Sequence, residues 1–561
     1  MDPSINEPGS WQEKAARKRE ECASRIPTEW KLSDGFMAKF SAPLSENKND
    51  FIRTAAIRES GILTARELKI TEQYTVAELI SALAIGSLTS VEVTLAYCKR
   101  AAVAQQLVSC LTETMFEEAQ KRAQYLDDLK AQGKPAGPLH GLPVSIKDNF
   151  QFKGREATTG LVSFLGEVST ENTSLVDLLL ELGAVLYVKT NVPQTMMTSD
   201  SHNNVFGRTL NPWNTQLGPG GSSGGESALI ALRGSPIGLG TDIAGSVRIP
   251  ARFCGTYGFK PSTSRIPNGG MRICTTLGLR FILSTTGPLS LDLDGIEILL
   301  KTIFSARPSL YDSTALDIPW RDVPRKPVLR IGVMHETFLF PLHPPIRKAL
   351  NESVSLLEAQ GHQIIHLDQE DFQILEANDI AWNIFNLDQG SRDLIVGAGE
   401  PVVPAIGIIM NRIETLMRMF PPSQPETSGL DRMGNLALLN VRRAKLRENY
   451  RKFWLRHELD ICIAPLSQNT AIPHDTSGIA PYATFLNTLD YPSCVLPFGE
   501  VNDLDNEEFK LEEGQIAPDY NFAQLKGAPT SIQLFTMNMQ DEECLQMAKQ
   551  IDECLKGENG L

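Results

Sequence analysis

The stretch that most limits how this chain can fold is residues 218–250, GPGGSSGGESALIALRGSPIGLGTDIAGSVRIP, in which apolar segments join two clusters of glycine and serine. Glycine is unfavourable inside helices and strands, and it suits backbone that bends sharply or is approached closely. We predict a helix over residues 226–232 and a buried strand over residues 236–240. The first cluster then lies at a helix N-terminus, where free N–H groups favour an anion or a developing oxyanion.

A flexible loop is the commonest structure for a stretch rich in glycine and serine. Here the segments between the clusters are apolar, and two charged residues, Asp242 and Arg248, bracket Ser246. A solvated linker needs neither feature. We therefore predict that Ser246 lies on a glycine-supported turn with unpaired backbone N–H groups just before it.

Composition excludes several classes of function. The 561 residues carry a net charge of −14 and include nine cysteines without a CxxC pair. This charge argues against a nucleic-acid partner. No spacing of histidine and cysteine indicates a metal, and we expect no cofactor. No segment resembles a secretory signal or a membrane span, so we expect a soluble, cytoplasmic protein with free thiols.

The chain is predicted to have two parts, an N-terminal helical arm over residues 1–70 and a single α/β domain over residues 71–561. The arm begins with a helix over residues 11–24, capped by Ser10. Strand and helix patterns then alternate, which is typical of a parallel or mixed sheet. Residues 368–428 have few glycines early and several prolines late, and we interpret them as an insertion that faces the substrate.

A serine nucleophile needs a base, which is usually histidine. None of the eight histidines has an obvious tie to the glycine clusters; the nearest is His202. Lys147 is the better candidate, since it ends a predicted buried strand over residues 141–146. Desolvation there favours a neutral lysine that is able to accept a proton.

Lys147 after an apolar strand, the GGSSGG cluster and the GTDxxGSxRxP element, in this order and spacing, resemble the amidase signature family of serine hydrolases. The resemblance runs from residue 70 to residue 555, with a signature core over residues 140–265. Segments such as GPLHGLPVSIKD and GAPTSIQLF are most similar to fungal acetamidases, and KTNVPQ also resembles fatty-acid amide hydrolases. The resemblance implies a large mixed central β-sheet flanked by helices on both faces.

The resemblance also implies the catalytic roles. Lys147 is the base, Ser222 is the bridging serine after a cis peptide bond from Gly221, and Ser246 is the nucleophile. The expected oxyanion hole consists of the N–H groups of Ile243, Ala244, Gly245 and Ser246. Ala244 replaces the glycine usual in the family, and it is tolerated only where φ is negative.

Several other residues are predicted to support the site. Supporting roles fall to Thr241, Asp242, Arg248, Gly221 and Ser223. Met196 falls where the family has a substrate contact, and a methionine of the hydrophobic core is the alternative.

The implied function is hydrolysis of a linear aliphatic or aryl carboxamide to a carboxylate and ammonia or an amine, through an acyl-enzyme. The natural substrate stays open: a fatty-acid amide, or an amide or ester of specialised metabolism, are the alternatives. The resemblance also implies a homodimer. An α/β-hydrolase with Ser223 as nucleophile and His474 beside Asp475 is a second enzyme class, although the turn-rich residues 211–219 do not suit the strand it needs. The family's amidotransferase subunits are a third reading, but no basic face for a transfer-RNA complex is evident.

Overall fold

The computed structural model describes residues 9–279, 282–368, 372–419, 429–476 and 478–557, without the side chains of residues 415–419. Parts of two predictions lie outside the described residues: residues 1–8 of the arm, and residues 369–371 and 420–428 of the insertion.

A mixed sheet forms the centre of the described chain. The strands are β1 (Leu111–Thr114), β2 (Pro143–Lys147), β3 (Val185–Thr190), β4 (His202–Asn203), β5 (Gly207–Arg208), β6 (Ile237–Asp242), β7 (Tyr257–Lys260), β8 (Thr285–Ser290), β9 (Arg330–Val333), β10 (Gln363–His366), β11 (Ile461–Ala464), β12 (Ser493–Glu500) and β13 (Pro529–Phe535). In the described residues β4 and β5 form a separate pair, and the other 11 strands run in the order β1-β3-β2-β6-β8-β7-β12-β13-β11-β9-β10.

Both strand directions occur in this sheet. β3, β2 and β6 are parallel neighbours, as are β11, β9 and β10. The strands between these two groups pair antiparallel. The prediction of an α/β fold with a large mixed sheet is therefore confirmed.

Helices connect most of the strands. They are α1 (Trp11–Ser24), α2 (Asp34–Met37), α3 (Ala56–Glu59), α4 (Ala65–Gln73), α5 (Val76–Ile85), α6 (Ser90–Val108), α7 (Phe116–Ala131), α8 (Ser174–Glu181), α9 (Gly224–Ala231), α10 (Arg248–Cys254), α11 (Leu293–Ser305), α12 (Pro344–Ala359), α13 (Ile374–Asn386), α14 (Gly390–Ala398), α15 (Pro404–Met419), α16 (Arg432–His457), α17 (Pro481–Leu489), α18 (Phe522–Leu525) and α19 (Asp541–Lys556). No described helix is both long and apolar enough to cross a membrane.

Local signals account for the starts of several helices. In α1 the Ser10 side chain accepts a hydrogen bond from the Glu13 amide at 3.3 Å, and Glu13 accepts one from the Ser10 amide at 2.9 Å. This reciprocal pair satisfies two N–H groups that a helix start leaves free. The predicted helix over residues 11–24 is confirmed. The predicted helix over residues 226–232 begins two residues earlier, at Gly224.

The arm packs into the main hydrophobic core. One cluster of buried apolar side chains includes Ile26 and Trp30 from the arm and extends to Ile551 in α19. Trp30 meets Phe116 edge-on with ring centroids 5.4 Å apart. All nine cysteines are unpaired. The domain boundary at residue 70 stays a prediction.

Candidate active site

Lys147 lies at the carboxyl end of β2, between β3 and β6. Its side chain is fully buried. The Nζ atom is 2.7 Å from Ser222 Oγ, 3.0 Å from Thr241 Oγ1 and 3.4 Å from the Thr241 carbonyl oxygen. Burial lowers the pKa of Lys147 from 10.5 to about 7, against the opposing effect of the Asp242 charge. A large share of Lys147 is therefore neutral near pH 7.

The first glycine cluster is packed tightly against neighbouring backbone. The peptide bond between Gly221 and Ser222 is cis. A Cβ at Gly221 would lie 2.1 Å from the Thr198 carbonyl oxygen, so no side chain fits there without separating the two segments. The amide of Ser223 donates to the Ser246 carbonyl at 3.1 Å. This hydrogen bond joins the two serine-bearing clusters, which are predicted to belong to one site.

Ser246 lies on the turn between β6 and α10 and is 8% exposed. Its Oγ forms no hydrogen bond with another described residue. Ser222 Oγ therefore contacts Lys147 without a hydrogen bond to Ser246 in this structure. Catalytic hydrogen bonds are often long before substrate binds and shorten in the complex.

A buried ion pair holds the turn. Arg248 Nε donates to Asp242 Oδ2 at 3.0 Å, and both side chains are fully buried. Asn487 and Gln533 complete the shell, since Asn487 donates to Asp242 at 2.9 Å and Gln533 accepts from Arg248 at 2.7 Å. Burial alone would raise the pKa of Asp242, but the charge and hydrogen bonds of Arg248 outweigh it and hold this pKa well below its usual value. Asp242 is therefore a stable anion at any working pH.

The predicted oxyanion donors divide into two groups. The Gly245 amide donates to Asp242 Oδ1 at 2.8 Å, so it is already occupied. The expectation that Gly245 supplies a free donor is thus wrong for this structure, because the bracing carboxylate takes that N–H. The amides of Ile243, Ala244 and Ser246 donate to no described residue.

Backbone geometry explains why alanine is accepted at one position of the turn and glycine is needed at the next. Gly245 has φ of 113°, and a Cβ there would lie 2.6 Å from the Ala483 Cβ. Ala244 is not among the described residues with positive φ. Its Cβ therefore imposes no backbone strain, and its N–H keeps its place.

Met196 belongs to a small apolar cluster beside the site. The members of this cluster are Leu161, Phe164, Cys274, Ile395, Met196 and Leu394. Cys274 lies within electrostatic range of Lys147, and burial raises the pKa of its thiol to about 12, so the thiol is neutral near pH 7. The structure therefore places Met196 half-buried in an apolar wall near the candidate base.

Comparison with known proteins assigns the family. A family profile named Amidase matches residues 92–545. The chain belongs to the amidase family. An amidase from Gibberella moniliformis is 37% identical over 98% of this chain and 99% of its own length. An acetamidase from Emericella nidulans is 36% identical over 98% of this chain and 99% of its own length. The solved structure of a fatty acid amide hydrolase is 30% identical, with a TM-score of 0.85, and the match covers 98% of this chain and 95% of that one.

This amidase is an amide-hydrolysing enzyme, and its site contains groups that sequence analysis missed. Glu226, directly after the GGSSGG cluster, is fully buried. It accepts a hydrogen bond from Thr190 Oγ1 at 2.7 Å and another from Ser145 Oγ. Burial raises the pKa of Glu226 to about 7. Its place directly after the cluster was the only signal in the sequence.

A buried charge network next to the candidate base was also missed. Asp148 is fully buried, and its Oδ1 lies 3.8 Å from Lys189 Nζ. Glu113 Oε1 lies 2.5 Å from Lys18 Nζ of α1, and its other oxygen pairs with Arg25. Burial alone would raise the pKa of Glu113, but Lys18, Arg25 and Lys189 together lower it. The arm of the amidase thus supplies two cations to the charged groups beside the end of β2.

The α/β-hydrolase alternative lacks a catalytic contact in this geometry. Ser223 Oγ lies 3.5 Å from the Thr241 carbonyl oxygen. His474 Nε2 is 2.9 Å from the Thr215 carbonyl oxygen, and its Nδ1 is 3.8 Å from Asp200. No hydrogen bond joins His474 to Ser223 in the described part of the chain. The histidine therefore does not serve as a base for that serine here.

Proposed function

We propose that this amidase cleaves the C–N bond of a linear carboxamide with Lys147 as base, Ser222 as proton relay and Ser246 as nucleophile. The observation that carries the proposal is the 2.7 Å separation of Lys147 Nζ and Ser222 Oγ inside a buried site. A neutral amine has two N–H donors and one lone pair. Thr241 offers two acceptors, Oγ1 and its carbonyl oxygen. The lone pair then remains for the hydroxyl proton of Ser222.

Acylation proceeds by linked proton transfers. Lys147 accepts the proton of Ser222 as Ser222 accepts that of Ser246, and Ser246 Oγ bonds to the amide carbon. The tetrahedral intermediate then collapses as Ser222 delivers a proton to the leaving nitrogen and Lys147 returns one to Ser222. Water attacks the resulting ester by the same relay and releases the carboxylate.

The negative charge on the substrate oxygen needs donors aimed at the place where it develops. Ile243, Ala244 and Ser246 are the candidates, since their N–H groups are without a partner among the described residues. Each such donor contributes about 3 kcal/mol to stabilising the transition state in comparable hydrolases. Asp242 and Arg248 support these donors by holding the turn.

We infer an apolar acyl group of modest size. The apolar cluster that contains Met196, Phe164 and Ile395 also includes Cys274, which lies near Lys147. The similarity to an acetamidase supports small aliphatic amides as the substrates of this enzyme. The structural match to a fatty acid amide hydrolase favours long-chain amides as the second candidate. A rate series over acetamide, hexanamide, phenylacetamide and oleamide separates the two, and matched esters test for an esterase.

Labelling with a fluorophosphonate tests the nucleophile and the base together. The purified protein and the Lys147→Ala, Ser246→Ala and Ser223→Ala variants are treated in parallel, and the modified peptide is mapped by mass spectrometry. We expect labelling at Ser246, none in Ser246→Ala, a sharp loss of rate in Lys147→Ala and little change in Ser223→Ala. Labelling at Ser223, or a rate independent of Lys147, would overturn the proposed roles.

We also propose that the enzyme is a cytoplasmic homodimer. Its nine unpaired cysteines fit a reducing compartment. Light scattering during gel filtration measures the mass in solution, and tagged expression locates the protein in cells. A monomer by scattering, or a signal outside the cytoplasm, would contradict the corresponding part.

A further inference from the structure

A cavity lies at the opposite end of α9 from the candidate catalytic serines. α9 begins after Ser223, and the residues that follow its last turn, Leu232 and Arg233, line a cavity of about 330 Å³. A helix of this length spans about 12 Å. The other walls come from residues 51–58, α4 and α6. No group of the proposed catalytic relay lines this cavity, so it is a separate site.

The charges on its walls are unbalanced. Three arginines, Arg58, Arg100 and Arg233, line the cavity together with one carboxylate, Glu72. Glu72 pairs with Arg58 and with Arg100, whose NH1 is 2.9 Å from Glu72 Oε1. One carboxylate is thus shared by two guanidinium groups, and the third, that of Arg233, has no counterion among the described residues. The lining carries a net charge of +2.

Two guanidinium groups offer donors to the cavity. Arg100 is 6% exposed; its Nε donates to the Leu232 carbonyl at 2.7 Å and its NH1 to Thr71 Oγ1 at 3.0 Å. The NH2 of Arg100 has no hydrogen-bond partner among the described residues, and neither does the exposed side chain of Arg233. Burial lowers the pKa of Arg100, and the charge of Arg233 lowers it further. An anion between the two groups relieves this repulsion and accepts the free donors.

The rest of the wall is apolar. Phe51, Ile52, Ile57 and Leu232 face the same cavity. Its volume is at the small end of the range usual for sites that bind small molecules. The bound molecule therefore needs a compact apolar body as well as a charged end.

We propose that this cavity binds a small organic carboxylate, with its charged end between Arg100 and Arg233 and its apolar body against Ile52 and Ile57. A guanidinium pair suits a carboxylate because each fork of N–H groups matches its two oxygens. Hydrolysis of an amide releases a carboxylate, so the enzyme's own class of product has the required chemistry.

Isothermal titration calorimetry with hexanoate tests the proposal. 1-Hexanol has the apolar body without the charge, and inorganic phosphate has charge without the body. We expect hexanoate to bind at least tenfold more tightly than either. In Arg233→Gln the affinity for hexanoate falls roughly tenfold, as for the loss of one charge-assisted hydrogen bond. Because Arg233 is exposed and its side chain forms no hydrogen bond or ion pair with described residues, the thermal unfolding midpoint of the variant stays unchanged.

Arg307→Gln is the matched control. Arg307 is also an exposed arginine in the left-handed region, with φ of 54° against 56° for Arg233, but it does not line the cavity. We expect Arg307→Gln to bind hexanoate with wild-type affinity. Undiminished binding in Arg233→Gln places hexanoate elsewhere, for example in the active site, and overturns the proposal. The absence of hexanoate binding also overturns the proposal. If phosphate binds as tightly as hexanoate, the cavity recognises charge alone, and the proposal of an organic ligand is wrong.

Discussion

The carboxylate of Asp242 accepts the amide proton of Gly245 at 2.8 Å, within the turn that carries the candidate nucleophile. This bond fixes the direction of the neighbouring peptide groups. The amides on either side of Gly245, those of Ala244 and Ser246, are left free of described partners. The Asp242 side chain thereby sets the position of the proposed oxyanion donors.

Asp242→Asn is expected to lower kcat/KM more than it changes KM. The amide side chain keeps the shape but loses the charge that holds both Arg248 and the Gly245 amide. Loss of a hydrogen bond to a charged group costs about 2 kcal/mol, which corresponds to roughly thirtyfold in rate. Steady-state kinetics measure the change. Asp503→Asn, at an exposed ion pair with Lys526, is the control and leaves kinetics unaltered; a wild-type rate for Asp242→Asn contradicts the bracing role.

Activity is expected to rise with pH through about 7 and then level off. The pKa of Lys147 is lowered to about 7 by burial, and only the neutral form accepts a proton. Below that pKa the rate therefore falls tenfold for each pH unit. Glu226, whose own pKa is raised to about 7, raises the pKa of Lys147 to the extent that it is ionised, so Glu226→Gln moves the midpoint of kcat/KM to lower pH. A profile that is flat from pH 5 to pH 9 rules out Lys147 as the base.

Thr241→Val is expected to reduce kcat about tenfold. It removes the Oγ1 acceptor that lies 3.0 Å from Lys147 Nζ and helps to orient the lone pair. A neutral hydrogen bond is worth about 1 kcal/mol, and its loss leaves a buried donor with one acceptor fewer. Thr241→Ser keeps the hydroxyl and should restore most of the rate. An undiminished rate in Thr241→Val, together with a loss in Thr241→Ser, would show that the methyl group, not the hydroxyl, matters.

Ala244→Gly is expected to change kcat by less than about twofold. Since φ at Ala244 is not positive, removing its Cβ relieves no strain and keeps the same N–H donor. Gly245→Ala is the contrast, because φ is 113° there and the new Cβ meets Ala483. We expect that variant to lose most of its activity. A large gain in Ala244→Gly means that the alanine does distort the turn.

Lys18→Met is expected to destabilise the protein by about 3 kcal/mol, which is typical for removing one partner of a buried ion pair. Glu113 then keeps Arg25, the residue directly after α1, as its remaining partner from the arm. The free energy of unfolding by urea measures the effect. Lys14→Met on the same helix is the control, since Lys14 forms no ion pair with a described residue. Equal stability of the two variants excludes a structural role for the Lys18 pair.

Local chemistry made much of the chain predictable. The capping pair of Ser10 and Glu13, and that of Thr75 and Glu78, act over three residues, so the starts of α1 and α5 follow from sequence alone. The short apolar run ICIA likewise predicts a buried strand, and it forms β11, Ile461–Ala464. Lys147 and the two serine clusters stand out because their residue types are unusual in their settings.

Other elements could not be found in this way. β1 reads LTET and β8 reads TTGPLS, and neither has the apolar run of a buried strand. Both are buried within the sheet, where contacts with distant residues satisfy several of their polar groups; Thr112 of β1, for instance, donates to Asp148 at 2.8 Å.

The support of the site depends on contacts between distant parts of the chain. Asn487 and Gln533 accept hydrogen bonds from Arg248 across 239 and 285 residues of sequence. No periodicity or spacing links positions so far apart. The residue types around Lys147 and Ser246 were therefore readable from sequence, whereas the lowered pKa, the occupied Gly245 amide and the partners of Arg248 follow from burial and proximity, which arise only when the sheet assembles.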